Sequence, residues 1–154
     1  MAVIRNPAEV EGRRGTIYPT QFKDGLDGRI KRALGDAGGL SQFGVNLTTL
    51  EPGAKSAHRH WHAREDEFIY ILDGELTLVT GAGDEQLGAG MAATFPAGEP
   101  DGHQLVNRGS QPATYLEIGT RTMDEDVVYS DIDMLMQKRD GKTAFLHKSG
   151  EPYL

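Results

Sequence analysis

From Phe43 to Gly119 the chain repeatedly alternates apolar and polar side chains at a period of two. FGVNLTTL, residues 43–50, alternates and stops at Pro52-Gly53. EFIYIL, residues 67–72, runs into Asp73-Gly74, and ELTLVT, residues 75–80, leaves it. That dipeptide commonly closes a two-residue hairpin, so a hairpin is expected there. Further runs of this kind begin at Met91 (MAATF), Gly102 (GHQLVN) and Ala113 (ATYLEIG), and GAGD at residues 81–84 reads as a turn. Side chains two apart share one face of a strand, so the alternation marks half-buried strands. Twenty glycines and seven prolines cut these runs short, which predicts an all-β sandwich or barrel.

The two ends read differently. The first 25 residues look irregular. Leu26, Ile30, Ala33 and Leu34 then fall at i, i+4, i+7 and i+8, with Gly35 and Gly38-Gly39 behind them. This spacing predicts a short amphipathic helix with a glycine stop. After Arg121 the pattern weakens. VVYSDIDMLM is expected to add one strand and a helical turn, and KSGEPYL a tail. A length of 154 residues fits one domain. The expected layout is a core barrel at about 43–119, an N-terminal arm at 1–42 and a C-terminal extension at 120–154.

Composition narrows the chemistry. There is no cysteine, which excludes disulfides, zinc–thiolate sites, iron–sulfur clusters and a cysteine nucleophile. The N-terminus lacks the apolar stretch of a signal peptide. The longest plainly apolar run, Phe68 to Leu72, is far too short to cross a bilayer. A soluble cytoplasmic protein without membrane contact is therefore expected. The formal net charge is -7, unevenly spread. Residues 1–35 carry seven Lys/Arg against four Asp/Glu, and the rest carry nine against nineteen. The acidic bulk would repel phosphate backbones, so nucleic acid is not an expected partner. The basic opening segment suits either an arm lying on the acidic body, its own or a neighbour's, or a solvated stretch.

The candidate chemistry lies in HRHWHAREDEFIY, His58 to Tyr70. Strand residues two apart sit about 6.6 Å apart on one face. Two imidazoles at that spacing can lean onto one ion at about 2.0–2.1 Å each. Residues four apart are roughly 13 Å apart, too far to share an ion without a bend. The pair is therefore His58/His60 or His60/His62, with His60 common to both. Glu67 shares its face with Ile69 and Ile71, while Phe68, Tyr70 and Leu72 occupy the other. Both faces are apolar, as in a strand covered on both sides. A carboxylate on an apolar face is costly to bury unless paired or coordinated. His103 shares a face with Leu105 and Asn107 in a later strand-like segment. Glu65 and Asp66 read as surface charge, and His147 as an ordinary tail residue.

The two segments together resemble the paired motifs of the cupin superfamily. In the first motif a glycine precedes HxH by five residues, three or four residues then lead to a glutamate, and six more to a glycine. Here Gly53 leads by six residues to His60-Trp61-His62, then four residues to Glu67, then six to Gly74. In the second, Gly90 leads by five residues to Pro96-Ala97-Gly98, then by four, against the family's two, to His103, then by three to Asn107. The spacing to Glu67 favours His60/His62 over His58/His60, which leaves His58 at the mouth of the site or behind it. The resemblance implies a small jelly-roll β-barrel with a metal inside it near one mouth, bound by His60, His62, Glu67 and His103. It implies a divalent transition metal, with Fe, Mn, Zn, Ni and Cu all compatible with such donors. It also implies a homodimer, for which the outward face Phe68, Tyr70 and Leu72 would suit cover. The expected function is a small metal-dependent enzyme acting on a small polar organic molecule, with a dioxygenase placed slightly ahead of an isomerase or lyase. A non-enzymatic small-ligand binding or sensor protein of the same fold is the alternative. Tyr115 and Glu117 are further candidates for the pocket, and no catalytic residue is assigned.

Overall fold

The computed structural model describes residues 1–153. Its strands in chain order are β1 (Gly12–Arg14), β2 (Arg29–Ala33), β3 (Phe43–Leu50), β4 (His60–His62), β5 (Glu67–Asp73), β6 (Glu75–Thr80) and β7 (Gly83–Gly88). They continue with β8 (Ala92–Phe95), β9 (Gln104–Val106), β10 (Ala113–Thr120), β11 (Glu125–Tyr129), β12 (Leu135–Arg139) and β13 (Lys142–Leu146). A single α-helical turn, α1 (Leu34–Ala37), follows β2.

The strands form three antiparallel sheets. One has the order β1-β2-β3-β10-β5-β8, the second β13-β12-β11-β4 and the third β7-β6-β9. The second and third are joined where His60 and His103 exchange backbone hydrogen bonds, at 3.1 and 2.9 Å. This bridge brings the two histidine-bearing segments side by side although 43 positions separate them in sequence. Leu50, Ile69, Ile71, Leu76, Leu105 and Tyr115 form the main core between the sheets. Burying each of the aliphatic side chains contributes roughly 1.5–3 kcal/mol. Val127, Tyr129 and Met134 make a second cluster, against which Tyr18, Phe22 and Phe145 pack.

Several local expectations change. The helix expected over Leu26–Leu34 is instead strand over β2, and helix begins only at Leu34. β2 is paired along its whole length with β3, from Arg29↔Leu50 to Ala33↔Asn46. The helical spacing of its apolar residues arises because Arg29 and Lys31, its inward residues, line a polar cavity. Asp73-Gly74 does not close a hairpin either. β5 pairs with β10 and β8, whereas β6 pairs with β7 and β9, so the chain crosses from one sheet to another at this point. Gly74 has φ +77°, and a Cβ there would lie 2.8 Å from that of Ala113, so only glycine turns this corner without strain. Beyond Arg121 there are three strands rather than one, and β11 carries β4 at the edge of its sheet. β5 is covered on one face only: Ile69 and Ile71 are buried, while Phe68, Tyr70 and Leu72 are exposed. The basic opening segment lies on its own body, with β1 paired to β2 and Arg14 bonded to Glu51 at 2.8 Å.

Candidate metal centre

β4 presents His60 and His62 on the inner side of its sheet, held between β11 on one edge and His103 on the other. β5 presents Glu67 from the six-stranded sheet. The three imidazole Nε2 atoms converge on one carboxylate oxygen, Glu67 Oε2. The distances are 3.3 Å from His103, 3.4 Å from His62 and 4.0 Å from His60. Donor atoms on His60, His62 and Glu67 all lie within 4.8 Å of one another. Ligands bonded to one ion at about 2.1 Å sit roughly 3 Å apart when at right angles, so these three are somewhat expanded from a coordination shell, and His103 lies outside their group, reaching it through Glu67.

The other ring nitrogens explain the orientation. His60 Nδ1 lies 2.8 Å from the carbonyl of His58 and must donate to it, which leaves Nε2 as the free lone pair. His62 Nδ1 faces Glu125 Oε2 at 3.6 Å, the partner arrangement that holds many ligating imidazoles. The His103 ring is stacked on Phe95, with centroids 3.5 Å apart and planes 6° from parallel. Its Nδ1 is buried without a hydrogen-bond partner. Three lone-pair nitrogens and a buried carboxylate facing one another fit a divalent transition metal, whose charge would satisfy all four.

Electrostatics without a metal show the strain on this arrangement. Burial, then repulsion from His103, pushes His60 down to about 3, and Glu67 only partly opposes this. Burial also opposes a charge on His62, but attraction from the Glu125 and Glu67 carboxylates outweighs it and raises the ring to about 9. Burial would raise Glu67, yet bonds from His103 and His62 more than offset it and hold the carboxyl well below its usual range.

His58 does not join the donors. Its ring bonds the Phe22 carbonyl at 2.8 Å, and its own carbonyl orients His60. Glu65, expected as surface charge, is largely buried and accepts bonds from Lys138 and from the backbone and hydroxyl of Thr122. His62, Glu65 and Glu125 form a second possible donor group. Its carboxylates are already engaged, Glu65 as described and Glu125 by the Arg64 and Asp126 amides. Glu125 is the residue that sequence reasoning missed. It is fully buried in β11, beyond both motifs. In the sequence it is the middle of three acidic residues, Asp124 to Asp126, ahead of VVY, and nothing local sets it apart.

The cluster lines a cavity of about 190 Å³. Tyr115 and Glu117 of β10, Tyr129 of β11, and Arg29 and Lys31 of β2 share its walls. Lys31 Nζ is 3.1 Å from Glu117 Oε1. Burial holds the Tyr115 and Tyr129 phenols well above their usual pKa, so both present neutral O–H groups.

Comparison with known proteins agrees with this geometry. A family model described as Cupin domain matches residues 46–119. A crystal structure of a sugar phosphate isomerase from a cupin superfamily, from Silicibacter pomeroyi, is 48% identical. The match covers 97% of this chain and 95% of that one, with a TM-score of 0.93. The chain belongs to the cupin superfamily. A proposed sugar phosphate isomerase from Acidithiobacillus ferrooxidans shares this cupin's fold, with a TM-score of 0.82 at 24% identity over 100% of this chain and 96% of that one. A polyketide cyclase from Streptomyces resistomycificus matches at 25% identity and a TM-score of 0.63, over 78% and 80% of the two chains. No curated protein matches the sequence.

Proposed function

We propose that this cupin is a metal-dependent isomerase of a small phosphorylated sugar, with His60, His62, Glu67 and His103 holding one divalent ion. The observation that carries the reading is the cavity itself. Three imidazoles gather around the Glu67 carboxylate in its wall, and a further carboxylate, Glu117, shares the same space. The 48% identity to a protein named a sugar phosphate isomerase supports the choice of reaction class. It moves the isomerase ahead of the dioxygenase that the donor set alone also allows.

A divalent ion held by these donors supplies a Lewis acid for a substrate carbonyl or hydroxyl. Interconverting an aldose and a ketose moves one proton from one carbon to its neighbour and a second from the hydroxyl on the first carbon to the carbonyl oxygen on the other. Glu117 is the cavity carboxylate outside the donor cluster, and it accepts the first proton and returns it. Lys31 fixes its position by the 3.1 Å ion pair. Tyr115 and Tyr129 donate hydrogen bonds to substrate oxygens. The apolar walls formed by Ile69, Leu105 and Val127 limit water around the reacting carbons.

The test is solvent deuterium incorporation into a panel of pentose and hexose phosphates, followed by NMR with an oxygen electrode in parallel. The reading expects exchange at the carbon next to the carbonyl, no oxygen uptake, and loss of exchange in Glu117→Gln with metal retained. Substrate-dependent oxygen uptake, or no exchange with any sugar phosphate, contradicts it. The exposed outer residues Phe43, Phe68, Tyr70, Leu72 and Met91 support a contact between two copies of the chain, and light scattering that shows a monomer would remove it.

A further inference from the structure

We propose that Arg29 is the anion anchor of this cavity and binds the phosphate group of the substrate. The inference deepens the isomerase reading and rests on it only for the substrate class. Arg29 opens β2, which lies three strand spacings from β5 in the sheet order, about 14 Å across a flat sheet. Its side chain nevertheless lines the same cavity as the four donors. The site therefore has a metal-binding end and a separate cationic end.

The guanidinium is held in place before any ligand arrives. Nη1 donates to the Ser56 carbonyl at 2.6 Å and Nη2 to the Gly15 carbonyl at 2.7 Å. Both partners are neutral, and among the described residues no carboxylate pairs with Arg29. Its Nε is buried with no hydrogen-bond partner. Of the five donors of an arginine, two are spent on carbonyls and three remain. A partly buried cation without a counter-charge is costly unless something compensates it. Every other charge in the cavity has a partner. Lys31 pairs with Glu117, and Glu67 with the imidazoles.

The charge balance favours an anion. A divalent ion would be offset by Glu67 and by Glu125 behind His62, the Lys31–Glu117 pair adds none, and Arg29 leaves a positive charge at its end of the cavity. A phosphate monoester carries about −1.5 to −2 at neutral pH. The planar fork of an arginine matches phosphate oxygens two at a time. The phosphate end on Arg29 leaves the sugar end free to reach the donor cluster.

The test is calorimetric titration of the metal-free protein with inorganic phosphate and, separately, with acetate, on wild type, Arg29→Gln and Arg29→Lys. Expected are phosphate binding tighter than acetate and a loss of roughly tenfold to a hundredfold in Arg29→Gln, the effect of one charge-assisted contact. Arg29→Lys is expected between the two. A folded Arg29→Gln that binds phosphate within about twofold of wild type, acetate binding as tight as phosphate, or no phosphate binding by wild type overturns the proposal. Should Arg29→Gln fail to fold, wild-type crystals grown with phosphate decide the matter. An anion within hydrogen-bond distance of the Arg29 guanidinium supports the proposal; none there, or an adventitious ion only at the surface, overturns it. No metal and no turnover enter this titration, so its failure is distinguishable from a failure of the isomerase assay.

Discussion

Two strands of the six-stranded sheet turn alternate residues into one cavity and bring it opposite chemistry. On β5, Ile69 and Ile71 are buried and Glu67 is the single inward charge at the strand's start. On β2, Arg29 and Lys31 face inward and Ile30 lies between them. The core-facing side of a strand carries apolar residues, and the inner side of β5 follows that rule with one exception, Glu67. β2 inverts the rule, because the space it faces is the site and not the core. Glu67 and the unpaired Arg29 are thereby kept on separate strands, so neither neutralises the other before a ligand arrives.

The largest effects are expected at the donor end. His60→Ala and His62→Ala should each lower metal affinity by about a hundredfold or more, beyond what is usual for residues behind a ligand. Metal titration followed by mass spectrometry measures this. Equal loss from His58→Ala would show that the donor set is wrongly drawn. Next comes Glu125, which faces His62 alone among the proposed donors. Glu125→Gln should weaken metal binding by roughly tenfold to a hundredfold while leaving the fold intact. No change would separate Glu125 from the site.

A smaller effect is the pH dependence. The metal must displace the proton that His62 holds up to about pH 9. Affinity should therefore rise with pH by up to about tenfold per unit towards pH 9, and then level off. In the metal-free fold the raised His62 pKa contributes stability fully present below about 6.5, its unfolded value, and lost as pH rises through about 9. The depressed His60 pKa acts the other way: its contribution is present above about 6.5 and lost as pH falls towards about 3. Metal-free stability should thus weaken on both sides of neutrality, as urea unfolding at a series of pH values would show. The smallest effect belongs to His58→Ala, which leaves the Phe22 carbonyl without its partner and should cost about 1 kcal/mol with metal affinity unchanged.

What was legible in the sequence follows the same division. Alternation in Phe43–Leu50 and Ala113–Thr120 announced strands because each has a face in the core, and these two pair along their full length. HxH and Glu67 were legible because histidines two apart on a strand share a face, and because a glutamate at the head of an apolar run needs a partner. Three features were not legible. β2 looked helical because its charged inward face mimics the polar side of a helix. The Asp73-Gly74 step looked like a hairpin because the turn chemistry is local, whereas the choice between pairing β6 with β5 or with β7 and β9 is made by distant contacts. Glu125 stayed hidden because its role depends on β11 pairing with β4, a contact across more than 60 residues. Local pattern fails here where a residue serves the site rather than the core.

The most direct measurement is a crystal structure of protein purified with added Mn(II) or Zn(II), with anomalous scattering to place the ion. The account predicts one ion per chain, bonded to Nε2 of His60, His62 and His103 and to the carboxylate of Glu67. An ion seated among His62, Glu65 and Glu125, or a cluster that stays empty at saturating metal, would contradict it.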